Sequence, residues 1–343
     1  MFEKPTGLIV LEGHDGSGKS YLASKICERF NAVYLHQKYK FKNKIFTYHT
    51  ARLWKAIKLS QERLVVLDRL WLSETIYSAI YRQNGSWPLE GRMMDRVLLK
   101  HCAMNVICFD DPHVAKQRHE KLVGERDELF KDRMDEVAQY YADYHYGSTY
   151  SSPRPGVNYA DAICNAGGAC KRIDHAYYSR DLQGKTPEKL DEFVHAVARQ
   201  IDKIKLDQYV PALNPYDHNF LGHLGLATHL IVGDIANPKS KKLSWPFYDY
   251  GHSSLFLTEA LHRINFDETT ALWTNAHGHP KHVEAIVALR PSIKVVALGH
   301  KASGTLARLG VNHQAVAHPQ WVKRFLSHDR QSYATELKQA LTA

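Results

Sequence analysis

Residues Leu8-Ile9-Val10-Leu11-Glu12-Gly13-His14-Asp15-Gly16-Ser17-Gly18-Lys19-Ser20 decide how the first half of this chain folds. The apolar run at 8–11 reads as a short strand buried in a parallel sheet. It leads into a complete Walker A motif, Gly13-His14-Asp15-Gly16-Ser17-Gly18-Lys19-Ser20, and Tyr21 to Phe30 reads as the helix behind it. The glycines let the backbone curl so that its N–H groups face phosphates. Lys19 then reaches the β and γ oxygens, and the Ser20 hydroxyl ligates Mg²⁺. All eight residues of the motif are expected to hold ATP, with ATP and Mg²⁺ as the cofactors.

Working outward, Leu64-Val65-Val66-Leu67 reads as a second buried strand that ends in Asp68-Arg69. A carboxylate at the tip of a neighbouring parallel strand is placed to organise the Mg²⁺ shell or to accept the proton of an attacking hydroxyl. A simple cap for the following helix is the other reading of Asp68.

With these residues in view, the chain resembles the thymidylate kinase family. Leu11 to Ser20 looks like that family's phosphate loop and Asp68-Arg69 like its Asp-Arg motif. Val106-Ile107-Cys108-Phe109-Asp110, followed by Asp111-Pro112, Arg118, Lys121, Arg126 and Asp127, looks like its third core strand and basic lid. The resemblance implies that Asp15 and Arg69 face the acceptor while Arg118 and Arg126 face the phosphates, where cations stabilise charge on the transferring phosphoryl group. Lys19, Asp15, Asp68, Arg118 and Arg126 are therefore the candidate catalytic residues, and Ser20 and Asp68 the candidate metal ligands.

Three features depart from that family. His14 is unusual in the loop. Residues 147–180 read as an insertion holding Cys164 and Cys170 near His175, a spacing that matches no common zinc pattern. From Asn31 to Gln61 there are seven cations (Lys38, Lys40, Lys42, Lys44, Arg52, Lys55, Lys58) and no acid, with Tyr34, Tyr39, Phe41, Phe46, Tyr48 and Trp54 interleaved. Such a stretch can track a phosphate backbone and stack bases, which makes Lys38 and Lys42 candidate substrate contacts, or it is a solvated basic helix with its connecting loop.

At 343 residues the chain is long enough for two domains, and the formal net charge of +9 favours polyanionic partners. No apolar run approaches the roughly 18 residues of a membrane span. Five scattered cysteines and an N-terminus without signal-peptide character fit a cytoplasmic protein, of an infected host cell if phage-encoded. Pro187 to Leu206 reads as an amphipathic helix closing the first domain, and 211–215 as a linker.

Beyond it the pattern restarts. Strand-like Leu230-Ile231-Val232 ends in Gly233-Asp234. A helix over 254–264, a strand over 271–274, the strand 295–298 with Gly299-His300, and a helix over 302–309 follow. Gly233-Asp234-Ile235-Ala236-Asn237-Pro238, Pro246-Phe247, Trp273-Thr274-Asn275-Ala276, Arg290 to Gly299 and His318-Pro319-Gln320 resemble the uracil-DNA glycosylase superfamily. That resemblance makes Asp234, Asn275 and His318 candidate base contacts, in a domain that either cleaves a base or only recognises one. His277-Gly278-His279 reads as a surface loop.

The expected fold is α/β: a P-loop kinase with a parallel sheet flanked by helices over 1–210, then a second α/β domain resembling a uracil-DNA glycosylase over 216–343. The combination resembles the bacteriophage 5-hydroxymethyluracil DNA kinases, a group of the thymidylate kinase family acting in thymidine hypermodification. It implies phosphorylation of a 5-hydroxymethyl group on a modified pyrimidine within DNA. Two alternatives stand beside it: a kinase for a free deoxynucleoside monophosphate, and a DNA-binding ATPase or base-excision module. The oligomeric state, the strandedness of the DNA and the identity of the general base are left open.

Overall fold

The computed structural model describes residues 6–36, 45–82, 88–101, 104–108, 117, 121, 133–145, 175–178, 220–234, 247, 253–277 and 280–343. They divide into two compact units, one within 1–91 and 102–203, the other within 92–101 and 204–343. A single cut between 210 and 216 would leave residues 92–101 with the first unit. They pack with the second.

The first unit is built on five parallel strands in the order β2-β3-β1-β4-β5. These are β1 (Gly7–Gly13), β2 (Val33–Leu35), β3 (Leu64–Asp68), β4 (Met104–Cys108) and β5 (His175–Tyr178). Every residue of β1 and β3 is buried, which is why both read as unbroken apolar runs and not as alternating ones. Helix α1 (Lys19–Phe30) lays Leu22, Ala23 and Ile26 against Ile9, Leu11, Leu64, Val66, Val106 and Cys108. Each such aliphatic side chain contributes about 1.5–3 kcal/mol when removed from water. Helix α2 (Ile45–Ser60), α3 (Trp71–Tyr77), α4 (Pro88–Lys100) and α5 (Met134–His145) complete the elements drawn from this half of the sequence.

Because β1 lies between β3 and β4, the chain crosses from one side of β1 to the other. The carboxyl ends of β1 and β3 therefore open onto a crevice where an α/β sheet binds ligands.

Two expectations are corrected here. His175 to Tyr178 is not part of an insertion: it is the edge strand of this sheet, paired in parallel with β4. A four-residue strand at an edge carries too little periodicity to be read from sequence. The basic stretch 31–61 is also less exposed than its composition suggests. In α2, Ile45, Phe46, His49, Thr50, Leu53, Ala56 and Ile57 are buried, so Phe46 is a core residue. The segments carrying Lys38, Lys42, Arg118, Arg126, Cys164, Cys170, the helix expected at 187–206 and the linker at 211–215 lie outside the described residues; Lys121 is exposed.

The second unit carries the sheet β10-β9-β7-β8-β6, parallel except for β6. Its strands are β6 (Phe220–Leu221), β7 (His229–Gly233), β8 (Ala271–Asn275), β9 (Lys294–Leu298) and β10 (Gln314–Val316). The strands expected at 230–232, 271–274 and 295–298 are present. Its helices are α6 (Ser253–Arg263), α7 (Pro280–Leu289), α8 (His300–Arg308), α9 (Pro319–Phe325) and α10 (Arg330–Thr342). No described helix is long and apolar enough to cross a membrane.

Gly13 is where the first sheet and the loop meet. Its φ is 142°, and a Cβ there would lie 2.1 Å from the Cys108 carbonyl oxygen on β4. Gly13→Ala should therefore cost about 1–3 kcal/mol through forced displacement of the loop. A lowered urea midpoint at unchanged slope checks it, and an unchanged midpoint would show that the loop yields freely.

Candidate active site

Glycine at 18 takes a φ of 88° and ends the loop on the first turn of α1. Lys19 is buried, and its Nζ donates to the carbonyls of Gly13 (2.8 Å) and His14 (2.6 Å), with Ser17 Oγ at 3.4 Å. Burial first and the Arg69 charge second bring its pKa down to about 8, against the opposing pull of Asp15, Asp68 and Cys108. Its donors stay on loop carbonyls that a phosphate oxygen can replace. Ser20 is exposed at the start of α1, and the His14 ring is buried with Nδ1 2.9 Å from the Asp15 carbonyl oxygen.

At the tip of β3 the chain turns through Arg69, whose φ of 58° is unusual for a residue with a side chain. Seven hydrogen bonds hold this turn and the strands and helix beside it. Arg69 N–H donates to Leu11 O on β1 (2.8 Å). Arg52 of α2 donates to the carbonyls of Arg69 (2.9 Å), Asp68 (2.8 Å) and Leu35 (3.0 Å). Glu12 Oε1 accepts from Leu70 N–H at 2.9 Å, and its Oε2 accepts from Ser73 N–H at 3.2 Å and from the Ser73 hydroxyl. The peptide on the carboxyl side of Arg69 is thus pinned at both ends, its carbonyl by Arg52 and its N–H by Glu12.

The consequence is the direction of two side chains. Arg69 pairs with Asp15 Oδ1, while Asp15 Oδ2 accepts from the Tyr77 hydroxyl at 2.9 Å. The guanidinium also lies 4.8 Å from the centre of the Tyr77 ring. Asp68 Oδ2 accepts from the Tyr34 hydroxyl (2.6 Å) and is bonded to His36 Nδ1 (2.7 Å). Burial, then the charge of Asp68 and its hydrogen bond, hold the Tyr34 phenol well above its ordinary value, so it stays a donor.

Asp68 Oδ1, by contrast, is buried without a hydrogen-bond partner among the described residues. A buried carboxylate oxygen left open is costly unless something binds it. One carboxylate with the Ser20 hydroxyl suits Mg²⁺, which keeps most of its shell for water and substrate phosphates. The described residues hold no cluster of three or more His, Cys, Asp or Glu for a metal.

The structure thus brings Lys19, Asp15, Asp68 and Arg69 together on the ends of β1 and β3. Sequence reading assigned no role to Glu12, His36 or Tyr77, and placed Tyr34 and Arg52 only in the stretch expected to track a phosphate backbone and stack bases. Only Glu12 carried a signal, an acid closing an otherwise apolar strand. Burial pushes its carboxyl up, opposed by the Ser73 and Leu70 hydrogen bonds and by the charges of Arg69 and Lys19.

No family model matches the chain, and no curated protein does. Among solved structures it is similar to the YorR protein from Bacillus subtilis in complex with phosphorylated GDP, at 17% identity and TM-score 0.38, over 59% of this chain and 99% of that one. It is also similar to deoxyadenosine kinase from M. mycoides, at 13% identity and TM-score 0.34, over 57% of this chain and 99% of that one. A gluconokinase from Sinorhizobium meliloti 1021 matches at 14% identity and TM-score 0.33, over 60% of this chain and 100% of that one. TM-scores of this size leave the first unit to be argued from its strand order and phosphate loop.

In the second unit, Asp234, Asn275 and His318 also sit at strand ends, following β7, closing β8 and following β10. Asp234 Oδ1 accepts from Ala302 N–H at 2.8 Å, at the start of α8. His318 Nδ1 accepts from Gln320 N–H at 3.1 Å and caps α9. Burial lowers the His318 pKa, against the pull of Asp234. Gly299 lies between the two: a Cβ there would sit 3.3 Å from Asp234 Oδ1 and 3.0 Å from His318 Cβ. Across β7, Asn275 Oδ1 and the Phe247 ring converge on Gly233, where a Cβ would lie 2.7 Å from the one and 2.5 Å from the other.

Two outcomes test the first site. ATP affinity should be level in pH below about 8 and fall up to tenfold per unit above it, because the bound phosphates require the proton that Lys19 loses there. Calorimetric titration across pH reads this, and Lys19→Arg should remove the slope. Glu12→Ala should cost about 2–3 kcal/mol by orphaning the Leu70 and Ser73 donors. Its loss of activity should exceed that of Glu12→Gln, which keeps an acceptor; equal losses would mean that the clamp does not act through acceptance.

Proposed function

We propose that this chain is an ATP-dependent phosphotransferase that moves the γ-phosphoryl group onto the 5-hydroxymethyl group of a modified pyrimidine, 5-hydroxymethyluracil, held within DNA. The observation that carries the transfer is the Walker A lysine, still donating to replaceable carbonyls, beside an Asp68 oxygen with no partner and an Asp15–Arg69 pair on the adjacent strand end. In this reading Lys19 and the loop N–H groups hold the β- and γ-phosphates. Ser20 and Asp68 would hold Mg²⁺, which when bound would supply charge neutralisation at the phosphates. The acceptor oxygen forms a bond to the γ-phosphorus as the bond to ADP breaks, and the hydroxyl proton passes to an aspartate. Asp15 has both oxygens engaged, by Arg69 and Tyr77, which suits it to orienting the acceptor; Asp68 keeps one oxygen open. Arg118 and Arg126 are proposed to close over the phosphates.

The DNA part of the reading is supported by the second unit. Asp234, Asn275 and His318 come to the carboxyl ends of its strands, with the Phe247 ring beside the Asn275 amide. An aromatic face beside an amide suits a flat base taken out of the stack, at a cost of a few kcal/mol that protein contacts offset. Asp234 spends one oxygen on the start of α8, which suits recognition better than activation of water.

One observation favours the free deoxynucleoside monophosphate as acceptor instead. Phe46 is in the core and Arg52 is spent on main-chain carbonyls, so the basic stretch has fewer groups for a polymer than its composition suggests.

Transfer of label from γ-labelled ATP separates these readings. Duplex DNA containing 5-hydroxymethyluracil should be labelled, with the free monophosphate and unmodified DNA unlabelled. Label in the free monophosphate alone would make this a nucleotide-pool kinase, and hydrolysis without a labelled acceptor an ATPase. Lys19→Ala should abolish transfer while leaving DNA binding intact.

A further inference from the structure

Arg96 lies on α4, in the stretch 92–101 that belongs to the second unit, and it is fully buried. A buried guanidinium is tolerated only when its donors are met, and here they reach three separate segments. Nε and Nη2 reach Glu268 Oε2 at 3.0 and 2.9 Å, just before β8. Nη2 also donates to Thr258 Oγ1 on α6 at 2.7 Å, and Nη1 donates to the Phe247 carbonyl at 3.3 Å. The guanidinium carbon sits 3.9 Å from the centre of the Trp273 ring on β8. Trp273 is fully buried and its indole N–H has no hydrogen-bond partner among the described residues, so the cation on its face is the polar contact that its ring makes. The Phe247 ring in turn meets Trp273 edge-on at 5.6 Å and lies against Gly233 beside Asn275, on a backbone with φ of 56°.

We propose that Arg96 is a positioning residue for base recognition in the second unit: its fork fixes the Phe247 carbonyl and the Trp273 ring together, and so sets where the Phe247 ring lies, at Gly233 where Asn275 Oδ1 also converges. This rests on the reading that the second unit takes up a pyrimidine. Nothing in the segment from 216 onward encodes it, because the clamp is supplied from residue 96. The fork is the reason for arginine at this position. A lysine carries the charge to Glu268 but has no planar group to stack on Trp273 while also reaching a carbonyl and a hydroxyl.

The test is fluorescence anisotropy of the full chain with two labelled duplexes that differ by one 5-hydroxymethyluracil in place of thymine. Arg96→Met combined with Glu268→Gln removes both buried charges, so that the unit keeps its fold, as checked by the thermal midpoint. It should lower the preference for the modified duplex about tenfold while leaving affinity for the unmodified one unchanged. If that pair does not fold, Arg96→Lys should show the same loss. In a Phe247→Ala background the Arg96 and Glu268 substitutions should have no further effect, because they act through Phe247. An unchanged preference in the folded variant overturns the proposal, as does an equal loss on both duplexes or full additivity with Phe247→Ala. If the wild-type chain itself shows no preference, the DNA reading fails and this inference with it. If the wild type discriminates and the variants do too, only the role of Arg96 fails.

Discussion

The peptide between Arg69 and Leu70 is held from both sides, and the chemistry of the first unit depends on that grip. Glu12 closes β1 and reaches across to take the Leu70 and Ser73 N–H groups, while Arg52 takes the carbonyls of Asp68 and Arg69. Without these bonds a left-handed Arg69 would relax toward an ordinary conformation, at a gain on the order of 1–3 kcal/mol. Its guanidinium would then leave Asp15. The strain is placed where a strand must turn sharply into a helix, so that two consecutive side chains, Asp68 and Arg69, point at the same crevice.

Electrostatics follow from the same packing. Lys19, Arg69 and Arg52 are three cations within one small volume, balanced by Glu12, Asp15 and Asp68. Lys19 is buried, and burial is the first cause of its lowered pKa. Asp68 Oδ1 is buried without a hydrogen-bond partner among the described residues. A buried amine beside an open carboxylate oxygen is the charge pattern that the proposed ATP and Mg²⁺ would complete.

The second unit uses a related economy of parts. Two strand-end polar residues there are tied into the scaffold, Asp234 to the start of α8 and His318 to the start of α9, and the Phe247 carbonyl is held by Arg96. Side chains fixed in this way lose little further entropy on meeting a ligand, which is the advantage of a preorganised site.

By itself the sequence determined the phosphate loop, its strand and helix, and the strand ending in Asp68-Arg69, because each is a local pattern whose residues are adjacent in the chain. It also determined three strands of the second sheet, for the same reason. Tertiary structure alone decided which of the basic and aromatic residues of 31–61 remain outside: Phe46 went to the core, Arg52 to main-chain carbonyls and Tyr34 to Asp68. It decided that His175–Tyr178 is an edge strand, since four residues gain strand character only from the partner beside them. It decided the roles of Glu12 and Arg96 as well. Their farthest hydrogen-bond partners, Ser73 and Glu268, stand 61 and 172 residues away, and a hydrogen bond across such a distance leaves no periodicity in a sequence, because it is fixed by how the sheets and helices pack.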